Sequence, residues 1–116
     1  MSRPVVGIYA SPAPVDWGPW RERPSVVAPA ALGAAVQQAG GVVVLLAPGE
    51  DPGFDELLAT LDALIVFDDA EELDALRHLA SAHDLKLLVL DAEQITPHAT
   101  LEDCTGAVAG LRLTAG

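Results

Sequence analysis

The chain is 116 residues long, carries 17 acidic against 6 basic side chains for a formal charge of −11, and is 51% hydrophobic. That length suits one domain with its own core, and the apolar content excludes disorder. The charge repels phosphate backbones and anionic lipid, so neither a nucleic-acid nor a membrane partner is expected.

The N-terminus runs from Met1-Ser2-Arg3 straight into Pro4–Ala10, a short β-branched run bounded by Ser11-Pro12, which predicts a buried strand and no signal peptide. No apolar run approaches the ~20 residues a membrane-spanning helix needs. Residues 11–25 hold Pro12, Pro14, Pro19 and Pro24, both tryptophans and two of the five arginines, and are expected to form a long loop. Ser25 can cap a helix that starts at Val26 or Pro29 and ends at Ala39, where Gly40-Gly41 stops it.

Val42–Leu46 reads as a second buried strand and Phe54–Leu61 as a short helix with Leu57, Leu58 and Leu61 on one face. A third strand is expected over Asp62–Phe67. A helix follows over Ala70–His83, with Leu73, Leu76, Leu79 and Ala80 as its apolar stripe and Asp68 or Asp69 as its cap. Leu85–Leu90 reads as a fourth strand and Asp91–Ala99 as a loop. Thr100–Leu111 reads as a weak helix opened by Thr100 and Asp103, with a strand over Ala107–Leu113 as the competing assignment.

Strands alternating with helices imply an α/β three-layer sandwich. Its sheet would be short, mostly parallel and flavodoxin-like, with four to five strands, in a single domain over residues 1–116. Such a sheet gathers the carboxyl ends of its strands along one edge, where ligands bind. Asp68, Asp69, Asp91 and Glu93 fall there. They could hold a divalent cation, in a metal-binding module or a metal-dependent enzyme, or a small cationic ligand, and they could equally be solvated loop acids. Trp17, Trp20, Arg21 and Arg23 combine the residue types favoured at interfaces, and would form a contact surface, a lid, or a cover for the sheet edge.

Cys104 is the only cysteine, which rules out an internal disulfide and fits a reducing, cytoplasmic setting. With His98 nearby it has the raw material of a thiol hydrolase, but Glu102 and Asp103 beside it disfavour the thiolate, so a structural role is the stronger reading. His78 and His83 are expected to be structural, and no His/Cys cluster has zinc spacing.

Three segments, in order, carry a family resemblance: Arg3-Pro4-Val5-Val6-Gly7-Ile8, then Ala35-Val36-Gln37-Gln38-Ala39-Gly40-Gly41 leading to Val42–Pro48, then Leu61-Asp62-Ala63-Leu64-Ile65-Val66. Over residues 3–94 the chain resembles the front half of the class I glutamine amidotransferase-like fold, and within it the gamma-glutamyl-gamma-aminobutyrate hydrolase branch.

The resemblance also implies what is missing. Where the family has two oxyanion-binding glycines after the third strand, this chain has Asp68-Asp69, whose carboxylates would repel an oxyanion. Where the family has its nucleophilic cysteine after the fourth strand, this chain has Ala92, with Leu90 and Gln94 in place of the flanking glycines. The catalytic histidine and glutamate of the family belong to a back half not represented in these residues. The expectation is an inactive amidotransferase-like domain, with no resident cofactor, that works by binding. A half-length sheet leaves apolar surface, so a homodimer or another protein partner is expected.

Overall fold

The computed structural model describes residues 3–46, 54–96 and 99–111. Four strands form one parallel sheet: β1 (Val5–Tyr9), β4 (Val42–Leu46), β5 (Ala63–Phe67) and β6 (Lys86–Leu90), in the spatial order β4-β1-β5-β6. Two more strands, β2 (Ser11–Trp17) and β3 (Trp20–Val27), pair only with each other as an antiparallel hairpin inserted between β1 and the first helix. Helices α1 (Ala30–Gln38), α2 (Phe54–Leu58), α3 (Leu73–Ala82) and α4 (Leu101–Val108) follow in turn, and a 3-10 turn covers Ala109–Leu111.

The strand alternation sorts side chains to two faces, because successive Cβ atoms point to opposite sides of a pleated strand. Val6 and Ile8 of β1 join Ala63, Ile65 and Phe67 of β5 and Leu90 of β6 in one apolar cluster, closed by Leu32, Ala35 and Val36 of α1 and by Cys104 and Val108 of α4. Tyr9, Leu46, Leu64 and Val66 point the other way, against Leu58 of α2 and Leu76 of α3. The result is a three-layer, flavodoxin-like α/β sandwich with α1 and α4 on one face and α2 and α3 on the other. β5 lies inside the sheet and is buried at all five positions, which is why its sequence is a continuous apolar run rather than an alternating one. Among the described residues no polar or charged side chain is buried.

Local chemistry sets the element ends. Gly40, at φ 98, ends α1: its N–H donates to the Gln37 carbonyl and the Gly41 N–H reaches back to Val36. This is the Schellman arrangement that glycine favours. The same arrangement ends α3, where the Leu85 N–H donates to Ala80 and the left-handed position, φ 55, is taken by Asp84. Helix α4 opens on a full capping box: the Asp103 N–H donates to the Thr100 hydroxyl and the Asp103 carboxylate accepts from the Thr100 N–H.

Several expectations need correction. The long loop over 11–25 is instead the β2–β3 hairpin, with Ser11 opposite Val27, Pro14 opposite Pro24 and Trp17 opposite Trp20. In a two-stranded ribbon both strands are edges, so proline costs no ladder bond where its nitrogen faces outward. Val26 therefore belongs to a strand. α1 starts at Ala30 behind Pro29, with no side-chain cap, and Ser25 does not cap it. α3 starts at Leu73 rather than Ala70, after turns at 68–69 and 71–72. Its N-cap is Glu72, without a side-chain cap bond, so neither Asp68 nor Asp69 caps it. α2 stops at Leu58. Ala107 is helical and 109–111 form the 3-10 turn, which removes the competing strand; 112 and 113 lie outside the described residues.

Candidate functional site

From β1 the chain crosses to β4 at one side of the sheet, then returns past β1 to β5. The strand order therefore reverses between β1 and β5, so the connections leaving these two strands run to helices on opposite faces and leave a crevice at their carboxyl ends, the usual ligand position in open α/β sheets. A cleft of ≈ 270 Å³ lies there. Phe67 and Asp69 from the end of β5 line it. So do Ser11, Ala13 and Val27 at the hairpin base, the Ala28-Pro29-Ala30 entry to α1, and Ala92 and Ile95 from the loop after β6. Asp69 is the only charged residue among them. Ser11 and Asp69 also border a neighbouring cleft of ≈ 340 Å³ on the other side, which adds Tyr9, Ala70, Glu71 and Glu72. The two clefts form a continuous strand-end surface, apolar on one side and acidic on the other.

The four candidate acids do not converge. Asp68 turns sideways: its Oδ1 accepts the Ala92 N–H at 3.0 Å, while its own N–H donates to the Leu90 carbonyl at 2.9 Å. These bonds tie the end of β5 to the end of β6 and fix the turn that carries Ala92. Asp91 organises that turn from within, accepting the Glu93 N–H on Oδ1 at 2.8 Å and the Ile95 N–H on its carbonyl at 2.9 Å. Asp91 borders a separate open hollow beside β6, near Gln94 and Asp103. Glu93 is exposed and borders neither strand-end cleft. Asp69 alone faces the crevice. Among the described residues no three of His, Cys, Asp and Glu are gathered so as to hold a metal ion.

Cys104 lies in the core between α4, α1 and the sheet, at 0% exposure, and lines neither strand-end cleft. Burial pushes its thiol pKa up, and the neighbouring Asp103 charge raises it further. A buried, neutral thiol is a poor nucleophile. His98, its expected partner, lies outside the described residues.

The hairpin holds the longest exposed run among the described residues. Residues 16–24 are all exposed, with Trp17 at 70% and Trp20 at 47%. Its tip is nonetheless ordered by its own chemistry. Gly18, at φ 57, provides the positive φ that a two-residue turn demands. Arg21 donates from one guanidinium nitrogen to the Gly18 and Trp20 carbonyls, at 2.8 and 2.9 Å. Asp16 sits at an irregularity in the ladder between Val15 and Trp17, and its Oδ1 accepts the Glu22 N–H at 2.7 Å. Trp17 and Trp20 meet edge to face, with centroids 5.6 Å apart.

The sequence offered Trp17, Trp20, Arg21 and Arg23 as a contact surface, a lid or a cover for the sheet edge, and gave no hairpin arm to present them. Two tryptophans bracketing a Gly-Pro step were the available signal. Ser11, Phe67 and Ile95 were also missed as cleft residues, because their position depends on the hairpin and on the 91–95 turn.

Comparison of the chain with family models, with curated proteins and with solved structures gives no match. Among the described residues no helix is long and apolar enough to cross a membrane.

Proposed function

We propose that this chain is an amidotransferase-like scaffold that works by binding, without turnover, in a reducing, cytoplasmic setting. The observation that carries this reading is Ala92. It occupies the position after β6 where the resembled family needs its nucleophile, and it lines the strand-end cleft at the switch point. A methyl group there cannot attack a carbonyl. Asp69, where the resemblance expects a glycine amide, brings negative charge into the place an oxyanion would occupy. The only thiol is buried elsewhere.

The binding surface is the strand-end edge. Its larger apolar area with one carboxylate suits either a small cationic ligand or a protein segment with an apolar anchor and a positive charge. The exposed hairpin and the partly exposed edge strand β4, with Val42 at 42% and Leu45 at 59%, are surfaces of the kind that oligomerise. Two measurements test the proposal. Purified chain incubated with L-glutamine and with a gamma-glutamyl amide should release no ammonia or amine. Turnover that survives Cys104→Ala and disappears in Asp69→Ala would overturn the assignment as inactive. Native mass spectrometry should show a dimer or a complex with a second molecule, and a bare monomer at micromolar concentration would count against the binding role.

A further inference from the structure

We infer that the β2–β3 hairpin is an arm through which two copies of this chain embrace, each seating its Trp17, Trp20 and Arg21 tip on the strand-end cleft of the other. This inference rests on the oligomerising role proposed above and names its surface.

An isolated two-stranded hairpin is marginal in water, yet this one is pinned at its tip by Arg21 on the turn carbonyls, by the Asp16 clip to Glu22 and by the edge-to-face tryptophan pair. Those contacts fix the shape of the tip and leave Trp17 70% exposed. A preordered tip with exposed aromatic rings binds at low entropic cost.

The arm leaves the body at Ser11, immediately after β1, and rejoins it at Val27, just before α1. Both residues are walls of the strand-end cleft. Arm and cleft therefore share one edge of the sheet. Strands of this length reach about 20 Å, so a two-fold axis beside that edge carries each tip over the other copy's cleft. Arm-to-cleft contact repeated twice by one rotation is an isologous, closed interface.

The chain is strongly acidic, at −11 overall, so two copies attract only where a local basic group meets an acidic one. Arg21 lies at the exposed tip beside both tryptophans. The cleft pairs an apolar wall from Phe67, Val27 and Ile95 with Asp69, and Glu71 and Glu72 border it on the acidic side. Indole rings fit the first part and a guanidinium fits the second.

The test is sedimentation velocity on the full chain at micromolar concentration, with far-UV circular dichroism to check folding. Wild type should be a dimer. Trp17→Ser with Trp20→Ser should weaken dimerisation about tenfold or more. Arg21→Glu and Asp69→Lys should each be monomeric alone, since each homodimer would carry two like-charge contacts. Mixed one to one they should recover the dimer mass, because the mixed pair has one native and one reversed contact. A monomeric wild type overturns both this inference and the oligomerising role. A wild-type dimer that survives the tip and charge variants, or monomeric variants that fail to recombine, overturns the arm alone.

Discussion

Strands β5 and β2 lie in one small molecule and obey opposite rules. β5 is five consecutive apolar residues, all buried, with a parallel neighbour on each side and helices over both faces. β2 and β3 carry Pro12, Pro14 and Pro24, have only each other as neighbours, and keep residues 16–24 exposed. β5 is stable because it removes apolar surface from water on both faces. The hairpin is ordered by directional contacts at its tip: a carboxylate clip, a guanidinium on carbonyls and an edge-to-face ring pair. Extended conformation therefore does not identify a role. Covered strands hold the fold, and the uncovered ribbon is available for contact.

The sharpest expression of that difference is chemical access. Cys104 is sealed in the body, so its alkylation requires unfolding, whereas an exposed thiol on the arm reacts directly. Iodoacetamide should modify native Cys104 at least about 10³-fold more slowly than the denatured chain, given typical domain stabilities. A cysteine placed by Glu22→Cys should react at the denatured rate. pH should act in the corresponding direction. The native thiol pKa is raised, so as pH climbs past the ordinary thiol range the unfolded chain loses its proton while the native chain keeps it. Stability from this group is complete below that range and is lost above it. Cys104→Ala should flatten this alkaline loss, read as urea midpoints across pH.

Next in size is truncation in the body. Ile65 is fully buried at the centre of β5, and Ile65→Ala should cost about 2–5 kcal/mol in urea unfolding. A cost below about 1 kcal/mol would mean that the β5 environment is much looser than the burial implies. Overfilling the body at Gly7 should also destabilise it, by less. A Cβ there would stand 2.8 Å from Leu61 Cδ1 and 3.0 Å from Leu46 Cδ1. Gly7→Ala should therefore overpack the α2–α3 face and cost about 1–3 kcal/mol. Smaller again is the start of α4, where Thr100→Ala removes half of the capping box and should cost about 1 kcal/mol.

The body was legible in the sequence because its signals are local and agree with one another. The run Ala63-Leu64-Ile65-Val66-Phe67 reads as a buried strand, Gly40-Gly41 as a helix stop, and Thr100 with Asp103 as a cap, and each is found as such. The arm was illegible because its prolines argue against strands, and only the absence of further neighbours removes that objection. The site was half legible. Topology alone brings Asp68, Asp69 and Asp91 to the strand ends. Which carboxylate faces the crevice is decided by backbone amides that sequence does not position: the Ala92 N–H holds Asp68 aside and the Glu93 N–H holds Asp91. Asp69 is left facing the cleft.

Trp17 is the largest type of side chain and sits 70% exposed at the tip of a ribbon that packs mainly on itself. In the Arg21→Glu background, where the arm contact is removed, Trp17→Ala should change unfolding free energy by no more than about 0.5 kcal/mol, as for a surface residue outside the core. In the wild-type background the same change should weaken dimerisation. An aromatic ring that matters to association and not to folding is what distinguishes a contact arm from a strand of the core. A cost near 2 kcal/mol in the monomeric background would instead mean that the arm folds down onto the body, with Trp17 covering the sheet edge of its own chain.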